Sequence, residues 1–153
     1  MTKADWDALA RYVRWVANEV GLRDWFLWLD HEPCGRLGAD LDGHGSMAEC
    51  EASKGRKHLR IRVCKDFREA LLAEAQRQTI VHELLHAHFA AMRQYVADAY
   101  PDNPAAWEAF NTLVEFGVDA VAEEWSKNLP LVKWPAKRAR ATRIRSASAT
   151  REE

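Results

Sequence analysis

From Asp66 to Tyr100 the chain contains neither proline nor glycine. A stretch of that length without a breaker predicts helix from residue 67 to about 99. One unbroken helix of that size is long for a globular domain, so a break is expected near residues 72–74, although no residue there marks it. Asp66 stands where an N-cap belongs, with Glu69 three residues later. Pro101-Asp102-Asn103-Pro104 then interrupts the run. Asn103 suits an N-cap and Pro104 the first helical position, which starts a second long helix ending near Lys127. Trp107, Phe110, Val114, Val118, Val121 and Trp125 make its expected apolar stripe. The domain must therefore be built around two long helices packed on each other.

The first of them contains His82-Glu83-Leu84-Leu85-His86, an H-E-x-x-H pattern. Four residues on a helix return to within about 40° of the starting direction, about 6 Å further along. The two imidazoles can thus hold one metal ion, zinc being the usual choice. Glu83 lies one step round, where it can reach a water on that ion without binding the ion. Ile80, Val81, Leu84 and Leu85 supply apolar flanks that bury the helix beside a cleft. A solvated helix with two incidental histidines is the competing reading.

The rest of the chain limits what can surround this helix. Its 153 residues suffice for one domain with a real core. A net charge of −1 provides no overall field to attract nucleic acid or acidic membranes. No apolar run approaches the ~20 residues of a membrane span, and residues 1–6 lack a signal-peptide layout. Cys34, Cys50 and Cys64 are odd in number and match no paired metal spacing, which predicts reduced, buried thiols in a cytoplasm-like compartment.

Ahead of the long helices, Thr2 and Asp5 can form a capping box for a helix over 3–20, with Gly21 at its end and Trp6 and Trp15 as core anchors. Residues 25–29 (Trp-Phe-Leu-Trp-Leu) read as a strand buried on both faces, and His31 beyond them as a surface residue. The glycine-rich, acidic stretch 35–45, with Asp40, Asp42 and His44, lacks phosphate-loop and EF-hand spacing and reads as a loop. Residues 47–52 and 58–63 alternate around a turn at 53–56, predicting a β-hairpin with Glu49 and Glu51 facing Arg60 and Arg62. Its outer edge, beside the metal helix, can take an extended peptide by strand addition. From Pro130 to Glu153 the basic residues lack a periodic apolar face, which predicts a disordered tail beyond a domain of residues 1–129.

A catalytic zinc site needs a third protein ligand. Phe89 and Met92 occupy the glycine and histidine places of the longer three-histidine motif, and His88 is about 200° round the helix from His86. A carboxylate remains. Glu115 and Asp119 are four apart on one helix face, so Glu115 can ligate while Asp119 accepts a ring N–H from a ligand histidine. Gly117 between them allows a close helix approach. Asp119 as ligand with Glu123 behind it is a shifted version of the same site, and a solvated acidic face is the bland one.

H-E-x-x-H at 82–86 followed by Glu115-x-x-x-Asp119 resembles the gluzincin branch of zincin metallopeptidases, most closely its minimal members, including small bacteriophage-encoded ones. The likeness spans about residues 25–125, but only the two motifs are specific. It implies an α+β zincin-like domain: an N-terminal helix, a short antiparallel sheet with a hairpin, and the H-E-x-x-H helix packed on a C-terminal glutamate helix. It further implies Zn²⁺ on His82, His86 and Glu115, Glu83 as general base, Asp119 behind a histidine, and a peptide or protein substrate in a cytoplasm, the host's for a phage-encoded chain. Val114 stands where the family often has asparagine, and His31, His44, His58, Tyr95 and Tyr100 are the candidates for oxyanion stabilisation. Two other readings compete. One is a non-catalytic zinc-containing module that binds a protein, or nucleic acid through the basic tail. The other is a deformylase-like hydrolase with a cysteine ligand, whose glycine-containing context Ala48-Glu49-Cys50-Glu51 does not match.

Overall fold

A computed structural model describes residues 1–37, 46–53 and 56–136. In chain order the described elements are α1 (Lys3–Glu19), β1 (Phe26–Glu32), a 3₁₀ turn (Cys34–Arg36), β2 (Ala48–Ser53), β3 (His58–Cys64), α2 (Phe67–Ala70), α3 (Ala73–Ala99) and α4 (Pro104–Lys127). The chain is mixed α+β, with α3 packed against α4, β2 and α1. No helix among the described residues is long and apolar enough to cross a membrane.

α1 begins on the expected capping box: Thr2 Oγ1 accepts from Asp5 N at 3.2 Å and Asp5 Oδ2 accepts from Thr2 N at 2.8 Å. It ends before Gly21, whose φ of +83° is the left-handed conformation that glycine adopts without strain. Leu9, Val13, Val16 and Ala17 bury its inner face. Trp6 packs against the core, but Trp15 is 38% exposed, so only one of the two tryptophans is an anchor.

The sheet is mixed rather than antiparallel. Its order is β1-β3-β2, with β1 parallel to β3 and β2 antiparallel to it. β3 takes the centre because Leu59, Ile61 and Val63 are fully buried and can be covered on that face by helices. The hairpin forms in the expected register, Glu49 opposite Arg62 and Glu51 opposite Arg60. Only the first of these is an ion pair, at 2.9 Å; Arg60 turns instead to Asp30 on β1, at 2.7 Å. β1 is not buried on both faces. Phe26 (53% exposed) and Trp28 (48%) stand on its outer side, in edge-on or tilted ring contact with each other and with His58. Among the described residues β2 and β1 are the two edges of the sheet.

The break in the long helical stretch is real, and it is tied down by Gln76 within the stretch and by Trp134 beyond it. α2 stops at Ala70, and Leu71 and Leu72 are extended. The buried Gln76 donates from Nε2 to the carbonyls of Arg68 (3.0 Å) and Leu71 (2.9 Å), satisfying the loose end of α2. Gln76 Oε1 in turn accepts from Trp134 Nε1 at 2.8 Å. Asp66 occupies the N-cap position of α2 but its side chain does not cap. Asn103 does cap α4, accepting from Ala106 N at 3.0 Å.

The apolar stripe expected on α4 is rotated. Val114, Val118 and Ala122 face the core, whereas Trp107, Val121 and Trp125 are exposed. Gly117 lies in open space, with nothing near the position of a Cβ, so it does not serve a close helix approach. Contacts also continue past Leu129. Val132 is buried in the core, Tyr12 Oη donates to Pro130 O at 2.9 Å, and Arg68 Nη2 donates to Pro135 O at 2.9 Å. The basic residues from Lys137 onward, like Asp40, Asp42 and His44, lie outside the described residues.

Cys34 and Cys64 form a disulfide with Cα atoms 4.6 Å apart, which corrects the expectation of three reduced thiols. Cys50 remains free. The spacing in sequence could not reveal the pairing, because Cys34 follows β1 and Cys64 ends β3, and their meeting depends on the parallel register in which Glu32 faces Cys64.

Candidate metal centre

α3 presents His82 and His86 one turn apart, their Nε2 atoms 2.9 Å from each other. α4 crosses here and delivers Glu115. Its Oε2 is 3.4 Å from His82 Nε2 and 3.3 Å from His86 Nε2. The buried residues Leu84, Leu85 and Val81 on α3 and Val114 and Val118 on α4 hold the helices in this register. The pairing is a packing consequence: on each helix the polar donors sit next to residues that the core fully encloses.

The donor set suits zinc. An ion with four ligands at about 2.0–2.1 Å sets neighbouring ligand atoms about 3.3 Å apart, close to the spacings of Glu115 from each histidine. Two imidazoles and one carboxylate also match the ligand types zinc takes at catalytic sites. His82 Nδ1 lies 2.8 Å from Asp119 Oδ1, so an N–H on Nδ1 donates to that carboxylate and leaves Nε2 with a lone pair to offer. His86 Nδ1, by contrast, is buried without a hydrogen-bond partner. Glu115 is the carboxylate that faces both Nε2 atoms, and Asp119 stands behind His82, on the side of the ring away from the cluster.

Arg93 completes the cluster and was not anticipated. Its Nη2 donates to Glu115 Oε1 at 2.6 Å, leaving Oε2 to face the histidines. The one signal in the chain is spacing, since Arg93 is seven residues, about two turns, past His86 and shares its face of α3. Cys50, weighed above only as a buried thiol or as the cysteine of a deformylase-like site, lies beside His86 and Arg93. It points from β2 towards α3, and burial pushes its thiol well up, with the charge of Glu83 adding to this.

Glu83 is only 8% exposed. Burial pushes its carboxyl pKa up, against the pull of His82 and His86, and Glu115 and Glu49 push the same way. Burial opposes charge on Glu115 too, but hydrogen bonds from His82 and His86 and the Arg93 guanidinium prevail and hold it well below the usual carboxylate range. Burial works against a charged His82 as well, yet Glu115, Glu83 and Asp119 raise its pKa on balance. Two neighbouring glutamates are thus driven in opposite directions, Glu115 towards a permanent anion and Glu83 towards a proton carrier.

The other candidates lie elsewhere. His31 stacks edge-on against Trp6, His58 sits with Phe26 and Trp28, and His88 Nε2 contacts Val20 O at 2.8 Å. Tyr95 and Tyr100 are exposed. Cys34, Cys64 and Asp66 form a second group with metal-ligating atoms, but its two sulfurs are joined to each other. No family model, curated protein or solved structure matches this chain.

Proposed function

We propose that this chain is a zinc-dependent peptidase of the gluzincin type. One observation supports this above the rest: His82 Nε2, His86 Nε2 and Glu115 Oε2 converge from two helices within 4.8 Å of one another, beside the buried carboxyl of Glu83. Bound zinc would lower the pKa of a water to about 7 and polarise a carbonyl. The chain's own residues do the rest. Glu83, held in a dry position that favours its protonated form, accepts the proton of the attacking water and passes it to the departing amine. Asp119 fixes the tautomer and direction of His82. Arg93 engages one oxygen of Glu115 and so limits it to a single ligating atom.

Among the described residues β2 is an edge strand of the sheet and packs against α3, and an edge strand there can hold an extended polypeptide across the centre. A peptide substrate fits that setting better than a small molecule. A cytoplasmic setting belongs to the same reading, and there the Cys34–Cys64 bond would be exposed to reduction. The direct test is metal content. The purified chain is expected to hold one zinc, and His82→Ala or Glu115→Ala to hold none under the same dialysis. Equal zinc in all three would remove the site.

A further inference from the structure

Two cavities flank the candidate centre along α3. One, of about 280 Å³, lies on the His82 and Asp119 side, with Ser46, Gln78 and Thr79 in its wall. The other, of about 140 Å³, lies on the His86 side. Its wall is formed by Cys50 and Ala52 of β2, Ala90, Arg93 and Ala97 of α3, and Trp107 of α4. A space of roughly 150 Å³ holds a group the size of benzene, so this smaller cavity has room for one side chain. Among the described residues its lining includes a guanidinium and no acid, whereas that of the larger cavity includes Asp119 and no lysine or arginine. Arg93 gives Nη2 to Glu115, and its buried Nε has no acceptor among the described residues. A buried N–H without a partner is costly and calls for an explanation, of which a water or ion is one.

We propose that the cavity between His86, Arg93 and Trp107 is a substrate subsite that takes a carboxylate. The proposal rests on the peptidase reading and adds the substrate class to it. Small alanine walls leave the space open, the Trp107 ring closes one side, and the guanidinium supplies charge-assisted hydrogen bonds. The carboxylate can come from an Asp or Glu side chain or from the C-terminus of the peptide. The cavity at His82 imposes no such demand, so the requirement falls on one side of the scissile bond only.

The test uses the zinc-loaded full chain and a mixture library of fluorescence-quenched peptides. Each position near the middle is fixed in turn as Asp or Glu, Asn or Gln, Leu, or Lys, and the peptides are made with free and amidated C-termini. Cleavage sites are read by mass spectrometry. A carboxylate at one position is expected to raise kcat/KM by about 10–100-fold over lysine, the range for a hydrogen bond to a charged group. Loss of cleavage on amidation would assign the carboxylate to the C-terminus, and its persistence to a side chain. Ala97→Leu, which fills the cavity without touching a candidate ligand, is expected to abolish the preference with zinc content unchanged. Arg93→Gln is expected to abolish it too. Cleavage indifferent to carboxylates, or a preference that survives Ala97→Leu, would overturn the subsite and leave the peptidase standing. No cleavage of any peptide by the zinc-loaded chain would overturn both.

Discussion

His82 Nδ1 and Asp119 Oδ1 are 2.8 Å apart, across the interface between α3 and α4. The contact couples the packing of two helices to the chemistry of one ring nitrogen, because it determines which side of the imidazole is left without a proton. Asp119→Ala is expected to weaken zinc binding by about 10–100-fold. Titration against a fluorescent chelator would measure this. An unchanged affinity would reduce Asp119 to a solvated neighbour.

The Cys34–Cys64 disulfide closes a loop with a sequence separation of 30. Chain entropy puts its contribution at about 3–4 kcal/mol. Cys34→Ala with Cys64→Ala is expected to lower the unfolding free energy by that order in urea titrations. Thiol labelling of the unfolded, unreduced chain should find Cys50 alone. Three reactive thiols would contradict the bridge.

Much of this arrangement can be read from the chain alone, and the failures share a physical pattern. The capping box at Thr2, the hairpin register and the Asn103 cap are local, and all are found as expected. The pair His82 and His86 and the pair Glu115 and Asp119 are also local, since helix periodicity places each pair on one face. That the two faces meet could be proposed from the residue types, and the geometry brings them together. What escaped depends on distant partners. The break before α3 falls where it is expected, but its anchoring through Gln76 to Trp134 could not be read; nor could the place of β1 beside its parallel neighbour β3, or the hold of Arg93 on Glu115. The face of α4 was misjudged because Val121 and Trp125 are as apolar as Val114 and Val118, and periodicity alone cannot say which of two apolar sides is covered.

Residues 130–135 belong to the folded domain. Val132 is buried, and Trp134 stacks beneath Arg68 and donates to Gln76. Trp134→Ala is expected to cost about 2–3 kcal/mol, less than the ~3–5 kcal/mol of a fully buried aromatic because the ring is only partly buried. Ending the chain after Leu129 should cost at least as much. Stability equal to the parent's in both variants would show that the segment adds nothing.

Tyr12 gives a pH signature remote from the candidate centre. Burial raises its phenol pKa from the ordinary 10 to about 12, opposed by Arg77. The folded state therefore keeps the proton that the unfolded chain releases. The stability associated with the neutral phenol is fully present below pH 10 and is lost as pH rises through 12, a change on the order of 2 kcal/mol. Tyr12→Phe removes the group and should flatten the alkaline limb of the stability curve between those values. An identical limb in the variant would assign it to other groups.

The most direct measurement compares Glu83→Gln with the parent chain, zinc content and peptide hydrolysis being determined on the same preparations. Glutamine has nearly the same size and cannot take a proton from water. If Glu83 is the base, the variant keeps its zinc and loses about 10²–10⁴ in rate. Zinc retained together with undiminished hydrolysis would contradict that role for Glu83.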